Sequence, residues 1–163
     1  MPVTLINEHG NANIILISEH ASNHIPDEYN NLGLTDEQME LHIAWDIGIG
    51  QVTKNLANLL DAPAILAGFS RLLIDANRGL DHDGLIPTVS DGHTIPGNQN
   101  LDQSGVQKRI DLYYQPFHDM TDKILKRKSI NNQVPIIFNM HSFTPEMNGF
   151  SRPWHAGMLW NRD

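Results

Sequence analysis

Two histidines stand directly after apolar stretches of the chain. His20 follows the run Ile14–Ser18, and His141 follows residues 134–140. In open α/β sheets, ligands bind beyond the carboxyl ends of the strands, where imidazoles from neighbouring strands can converge on one metal ion. Catalytic zinc typically takes three His, Asp or Glu ligands and keeps a water in the fourth position. The two positions predict part of a zinc site, although some of the nine histidines will follow strands by chance.

A zinc site needs a third ligand, and Asp46 is the best candidate. It lies in a short polar break between two helical stretches, from which its side chain can point back to a strand end. Asp is also a favourable N-cap residue, so Asp46 could equally cap the helix that follows. His24 lies four residues after His20, but Asn23 and Pro26 disfavour a helix there. His24 is therefore predicted to support the site or the fold rather than to bind metal.

A second group of residues has the chemistry to hold a carboxylate. Arg71 and Arg78 flank the short apolar stretch 72–75, and Asn77 precedes the second arginine. A guanidinium binds a carboxylate through two parallel hydrogen bonds, and an amide beside it can add another. The alternative is that Asp75 forms a structural ion pair with one arginine and leaves the other free.

The loop after His141 offers further contacts to a ligand. Ser142 stands at its start, and Arg152 follows a few residues later, immediately before Pro153. A small hydroxyl and an arginine on a loop that contains proline could line the mouth of a pocket. The alternative is a turn that exposes an aromatic residue.

These side chains need a sheet to position them, and the sequence predicts one. The run Ile14–Ser18 is apolar and β-branched up to its last residue, as expected for a strand that a parallel sheet buries on both faces. Residues 134–140 predict a second buried strand. Residues 64–68 and 72–75 predict two short strands.

Helices are predicted between these strands. Thr35 begins the first, with acidic residues in its first turn. Apolar residues near the 3.6-residue period predict a second helix and a longer third one, which Pro116 should kink or split. They are Ile49, Val52, Leu56, Leu59 and Leu60, and then Val106, Ile110, Tyr113, Phe117, Ile124 and Leu125. Residues 81–100 predict a long loop, which is uncommon unless functional. The element order predicts an α/β fold with a mostly parallel or mixed central sheet and helices on both faces.

Composition narrows the possible partners. The 163 residues suffice for a single domain, residues 1–163, and the absence of cysteine excludes disulfides and thiolate zinc ligands. The formal net charge of -8 disfavours nucleic acid as a partner. The apolar runs are too short to span a membrane and the N-terminus does not resemble a signal peptide, so a cytoplasmic location is expected. All five lysines lie in predicted helices, whereas Arg71, Arg78 and Arg152 lie in predicted loops, which suggests a small carboxylate ligand.

Several segments in order along the chain resemble the N-formylglutamate amidohydrolase family. They are residues 18–26 (SEHASNHIP), 42–48 (HIAWDIG), 70–78 (SRLLIDANR), 95–98 (IPGN), 141–145 (HSFTP) and 152–157 (RPWHAG). The family is similar to the zinc-dependent exopeptidases, a fold shared with carboxypeptidases and aspartoacylase-like deacylases. In those relatives an Asp-x-Asn-Arg segment recognises the substrate carboxylate, and residues 75–78 are similar to it.

The resemblance implies hydrolysis of the amide bond of an N-acyl amino acid such as N-formyl-glutamate by a zinc-activated water. His20, Asp46 and His141 would hold one zinc ion per chain. Arg71, Asn77 and Arg78 would hold the carboxylates of the small substrate. Ser142 and Arg152, from the loop after His141, complete the predicted substrate-binding set.

Two departures from the family pattern affect these expectations. Carboxypeptidase-like relatives carry a Glu ligand three residues after the first His, where this chain has Asn23. Family members also continue beyond Asp163, so the fold is expected to be C-terminally incomplete and the general base to lie beyond this chain. Glu19 is the nearest catalytic alternative within it. An incomplete fold would expose a sheet edge or an apolar patch, which favours a homo-oligomer.

Two other functions compete with this interpretation. One is a catalytically impaired protein that binds small carboxylate metabolites without using a metal. The other is a zinc hydrolase for a different amide or peptide substrate. Serine-hydrolase and phosphate-loop chemistry have little support, because the chain has neither Gly-x-Ser-x-Gly nor Gly-x-x-x-x-Gly-Lys.

Overall fold

A four-stranded mixed sheet forms the centre of the protein. The computed structural model describes residues 1–129, 134–147 and 149–160. The sheet contains strands β1 (Val3–Ile6), β2 (Ile14–Ser18), β3 (Ala64–Ala67) and β6 (Ile136–Asn139) in the order β1-β3-β2-β6. β1 is antiparallel to β3, whereas β2 is parallel to both β3 and β6. The carboxyl ends of β2 and β6 therefore lie side by side at one edge of the sheet.

Two helices cover opposite faces of this sheet. Ile15 and Ile17 of β2 point to one face and join the larger core, to which α4 (Gln115–Lys128) contributes Phe117 and Ile124. Leu16 points to the other face and packs with Ala57 of α2 (Ile49–Leu59). This alternation explains why β2 is apolar on both faces. The predicted fold, a mixed central sheet with helices on both faces, is confirmed.

The predicted helices are present with altered details. Thr35 begins α1 (Asp36–Met39) with a capping box, in which its hydroxyl accepts from the backbone N–H of Gln38. In α2 the buried face is formed by Ile49, Thr53 and Ala57, whereas Val52 and Leu59 of the predicted apolar stripe are exposed. Helix α2 is thus predicted correctly, but only part of its apolar stripe is covered.

The longest predicted helix contains an irregular segment beside its proline. α3 (Gln103–Arg109) leads into a π-helical segment, Ile110–Tyr114, and this continues into α4. Pro116 stands at the second residue of α4 and has no N–H to donate, so a local change of hydrogen-bond register accommodates it. The predicted split at Pro116 therefore takes the form of a π-helical insertion.

One predicted strand is wrong. Residues 72–75 form a turn followed by irregular backbone, although their side chains are buried. Their apolar character reflects burial in the core rather than pairing with a neighbouring strand. The long loop 81–100 contains a small hairpin, β4 (Val89–Ser90) and β5 (His93–Thr94), and a 3-10 turn, Pro96–Asn98.

The strand predicted in residues 134–140 is present, but its predicted burial is wrong. β6 lies at the edge of the sheet, and Ile136 is 57% and Ile137 47% exposed. The principal sheet contacts of α2 are with β1, β2 and β3, and those of α4 are with β1 and β3. A second hairpin, β7 (Glu146–Met147) and β8 (Phe150–Ser151), follows β6. No helix in the described ranges has the length and apolar character needed to cross a bilayer.

Candidate metal site

The sheet brings the two predicted histidines together. His20 and His141 each stand two residues beyond neighbouring parallel strands, β2 and β6. The backbone N–H of Met140 donates to the carbonyl of Ile17 at 2.7 Å and holds the second strand end against the first. The imidazole centroids are 5.1 Å apart. The structure thus shows the predicted convergence of the two histidines beyond the carboxyl ends of β2 and β6.

Asp46 completes the cluster. Its backbone N–H donates to the carbonyl of His20 at 3.0 Å, which fixes the segment before α2 against the end of β2. One ligand atom from each of His20, Asp46 and His141 lies within 4.8 Å of the other two. Gly48, with φ 81°, is the N-cap of α2, and no side chain among the described residues caps that helix. The side chain of Asp46 is therefore directed at the histidines rather than used as a cap.

The inner nitrogens of both rings face the carboxylate of Asp46. Nδ1 of His141 lies 2.9 Å from Oδ2 of Asp46, and Nδ1 of His20 lies 3.5 Å from Oδ1. Nδ1 of His20 is buried and has no hydrogen-bond partner in the described parts of the chain. A buried ring nitrogen without a partner is costly, and a metal ion would relieve that cost. Two imidazole nitrogens and a carboxylate are donors that suit zinc.

Asp75 has a role that was not predicted from the sequence. Its Oδ1 lies 2.8 Å from Nε2 of His20, and its Oδ2 accepts from Arg71 at 2.9 Å. A carboxylate on the outer nitrogen of a ligand histidine fixes the tautomer and orientation of the ring. Because residues 72–75 were interpreted as a strand, no sequence signal pointed Asp75 at His20.

The charges in this cluster support one another. Burial disfavours the ionised form of Asp46, but the hydrogen bond from His141 and the nearby ring of His20 outweigh it and hold the pKa of Asp46 well below its usual range. Burial likewise opposes ionisation of Asp75, and His20 and Arg71 together lower its pKa. Burial also acts to lower the pKa of His20, but the two carboxylates outweigh it and raise that pKa.

Glu19 lies beside the cluster. It is 6% exposed, and its Oε2 stands 3.8 Å from Nε2 of His141. Burial raises the pKa of the Glu19 carboxyl, against smaller lowering effects from its backbone hydrogen bond and the two histidines. His24, by contrast, is exposed and outside the cluster, and its backbone carbonyl accepts from Ser70.

A cleft of about 580 Å³ opens next to the candidate metal ligands. Its lining includes three of the predicted substrate residues, Arg71, Ser142 and Arg152, whereas Asn77 and Arg78 are not among the described residues that line it. Its other lining residues are His42, Trp45, Asp46, Ile47, Asp91, Phe143, Thr144, Pro145 and Glu146. A second cavity of about 450 Å³, beside Lys54 and Ser22, contains none of the metal-site residues.

The arginines are partly engaged within the protein. Arg71 contacts Asp75 at 2.9 Å and Asp46 at 3.6 Å, and Nε of Arg78 is 3.9 Å from Asp75. Asp75 therefore pairs with both arginines, closely only with Arg71. The guanidinium of Arg152 lies 5.6 Å from the ring centroid of Phe143, in cation–π range.

Two residues that line the cleft were not predicted from the sequence to belong to the site. Nε2 of His42 lies 3.0 Å from a carboxylate oxygen of Asp91, a contact that joins the segment before Asp46 to the turn between β4 and β5. Because His42 and Asp91 are far apart in the sequence, their spacing gave no indication that they are in contact. The pair explains how part of the long loop 81–100 reaches the cleft.

Comparisons with known proteins agree with this architecture. The model of the N-formylglutamate amidohydrolase family matches residues 12–162. A crystal structure of a gene product from Agrobacterium tumefaciens has a TM-score of 0.89 and 33% identity, and the match covers 92% of this chain and 60% of that chain. An N-formylglutamate amidohydrolase from Ralstonia eutropha has a TM-score of 0.73 and 23% identity, which supports the fold, with 87% of this chain and 57% of that chain covered.

This chain therefore spans less than two thirds of the length of either solved relative. No curated protein matches it. The family match covers nearly the whole chain, and it includes His20, Asp46 and His141. The chain belongs to the N-formylglutamate amidohydrolase family.

Proposed function

We propose that this chain forms the metal-binding and substrate-binding part of a zinc-dependent amidohydrolase. The bond cleaved would be the amide of an N-acyl amino acid, with N-formyl-glutamate as the first substrate to test. The observation that carries this proposal is the cluster of His20, Asp46 and His141 at the ends of two parallel strands. Membership of the family supports the reaction class, and the donor set supports zinc.

His20, Asp46 and His141 would hold the ion, which would lower the pKa of a bound water and polarise the scissile carbonyl. Asp75 would keep His20 in the tautomer whose Nδ1 is available, since it occupies the outer nitrogen. The backbone N–H of Ser142 donates to Asp46 at 3.3 Å and would restrain the carboxylate ligand. The predicted role of Glu19 as the catalytic proton acceptor stays a prediction.

The cleft would hold the carboxylates of the substrate. Arg71 and Arg152 contribute positive charge to its lining, and Trp45 and Phe143 contribute apolar surface. Because Arg71 already contacts two carboxylates of the protein, a substrate carboxylate would have to share it. Holding the substrate by its carboxylates orients the scissile amide toward the metal site. Asn77 and Arg78, predicted from their residue types and from the resemblance, would act from outside the cleft lining.

Zinc content tests the metal site directly. Elemental analysis of untagged protein should find about one zinc ion per chain, by the family's expected stoichiometry. His20→Ala and His141→Ala should lose the ion, whereas His24→Ala, which removes an exposed histidine outside the cluster, should keep it. Equal zinc content in all four proteins would show that the ligand assignment is wrong.

Formate release from N-formyl-glutamate then tests the reaction. The zinc-loaded protein should release formate, and a chelator should stop the release. Binding of carboxylates that persists in the presence of the chelator, without turnover, would favour the metabolite-binding alternative. Turnover of other amides but not of N-formyl-glutamate would favour the alternative zinc hydrolase.

A single domain over residues 1–163 and a cytoplasmic location stay predictions.

A further inference from the structure

The two histidines of the candidate metal site have similar surroundings, although the outer carboxylate is within hydrogen-bond distance for His20 and not for His141. Each turns its inner nitrogen, Nδ1, to the carboxylate of Asp46. Each also presents its outer nitrogen, Nε2, to a second carboxylate. For His20 this is Asp75 at 2.8 Å, and for His141 it is Glu19 at 3.8 Å. The arrangement places one carboxylate between the rings and one outside each ring.

The side chain of Glu19 is buried beside the candidate metal site. Its side chain is 7% exposed, and its Oε2 is buried without a hydrogen-bond partner among the described residues. A buried carboxylate oxygen that lacks a donor destabilises the fold by the cost of its lost hydration. Nε2 of His141 lies 3.8 Å from that oxygen, just beyond hydrogen-bond distance, so a small shift of either side chain would let a protonated Nε2 donate to it.

We propose that Glu19 is a positioning residue for His141. It accepts the Nε2–H of the ring and thereby leaves Nδ1 unprotonated toward the metal, as Asp75 does for His20. The inference rests on the proposed metal site. It is an alternative to the predicted role of Glu19 as proton acceptor, because Nδ1 and Nε2 point to opposite sides of an imidazole. An oxygen that faces Nε2 of His141 therefore lies on the side of the ring away from Asp46, which contacts Nδ1.

Zinc affinity separates the two roles of Glu19. In competition with a chromophoric chelator, Glu19→Ala should bind zinc about 10–100-fold more weakly than the unchanged protein, the usual effect of removing a carboxylate behind a ligand histidine. Glu19→Gln keeps an oxygen that can accept the same hydrogen bond, so its affinity should stay within a few-fold. Glu37→Ala removes an exposed glutamate of α1 and should not change the affinity.

The tautomer of His141 supplies a second measurement that does not depend on how well the alanine variant folds. In zinc-loaded protein labelled with ¹⁵N-histidine, NMR should show the proton on Nε2 of His141 in both the unchanged protein and Glu19→Gln. A proton on Nδ1 in the unchanged protein would overturn the proposal.

Each other outcome is also decisive. If the unchanged protein binds zinc and Glu19→Ala binds it equally well, the positioning role is wrong while the metal site stands. Equal losses of affinity in Glu19→Gln and Glu19→Ala would assign the effect to charge and also overturn the positioning role. Unchanged zinc affinity with lost turnover in Glu19→Gln would restore the proton acceptor. If the unchanged protein binds no zinc, the proposed function fails and this inference fails with it.

Discussion

His20 depends on a carboxylate that is not part of the candidate ligand set. Asp75 contacts its outer nitrogen and is itself held by Arg71 and by the backbone N–H of Asn77. We expect Asp75→Ala to weaken zinc binding about 10–100-fold, because the His20 ring would lose the group that fixes its tautomer. The measurement is a competition titration with a chromophoric chelator.

Asp61→Ala is the matched control for this prediction. Asp61 also accepts hydrogen bonds, from Asn7 and Asn11, but these are remote from the metal site and exposed. That variant should keep the zinc affinity of the unchanged protein. Equal affinity in Asp75→Ala would mean that His20 is oriented by the surrounding packing alone.

At the scale of single residues, the sequence predicted the cluster of candidate ligands better than the groups that contact it. His20 and His141 were found because parallel strands end at a common edge, which is a rule of topology. From the sequence, Asp46 could be either a metal ligand or the N-cap of α2. The structure decides against the cap, because Gly48 occupies that position. The contact of Asp75 with His20 depends on a buried turn that has no periodic signal, so no reading of spacing could have supplied it.

At the scale of elements, a buried arginine joins α3 to the turn that carries Asp75. Arg109 is 2% exposed, and its guanidinium donates to the carbonyls of Leu73 and Gly97 and to the side-chain oxygen of Asn98. Arg109→Met would keep much of the volume but leave three acceptors without that donor. We expect the free energy of unfolding to fall by at least about 2 kcal/mol.

Urea denaturation measures this loss, and Lys126→Met is its control. Lys126 is a cation of α4 whose side chain is 82% exposed, so its replacement should change the free energy of unfolding by no more than about 0.5 kcal/mol. If the free energy of unfolding changed equally little in the two variants, the buried charge of Arg109 would make no net contribution to stability.

His118 of α4 should make the fold sensitive to acid. Burial lowers the pKa of its imidazole from the ordinary 6.5, and its Nε2 is buried without a hydrogen-bond partner among the described residues. Above pH 6.5 the ring is neutral in both the folded and unfolded states and contributes no pH dependence. Below that pH the unfolded chain takes up the proton more readily, so stability falls as pH decreases toward the folded-state pKa.

The comparison of pH 7.5 with pH 5.5 isolates this effect. His118→Gln cannot titrate, so its free energy of unfolding should fall less over this interval than that of the unchanged protein. The difference at pH 5.5 cannot exceed about 1.4 kcal/mol, since one pH unit is worth that much per proton. Acid sensitivity equal to that of the unchanged protein would show that other groups titrate over this interval.

The elements themselves were predictable to the extent that burial and periodicity agree. β2 and α2 carry clear patterns, and both are present with nearly the predicted bounds. Residues 72–75 show the limit of such patterns, because an apolar run records burial in the core whether or not the backbone pairs with a neighbour. The short pairings within residues 81–100 rest on turn geometry and long-range contacts, which local composition does not encode.

The whole molecule has an uneven distribution of buried apolar side chains. Among the described residues, the fully buried members of the two core clusters all lie between Ile15 and Ile124. Beyond that range, β6 exposes apolar side chains on both of its faces, and Phe150 and Trp154 are each 60% exposed. Soluble monomers rarely expose a large contiguous apolar patch, and an uncovered edge strand can pair with another chain. A homo-oligomer was predicted from the sequence for the same reason, namely an exposed sheet edge or apolar patch.

We therefore expect the chain to self-associate as its concentration rises, with β6 in the contact. Ile136→Lys places a charge on a side chain that is 57% exposed, so it should disfavour edge pairing at little cost to the fold. Val89→Lys makes the same change at a side chain that is 56% exposed in the β4–β5 hairpin, and it should leave association unchanged. Light scattering coupled to size exclusion, over a range of protein concentrations, measures the mass of each protein. A monomer at every concentration, or an equal effect of both lysines, would show that β6 does not mediate association.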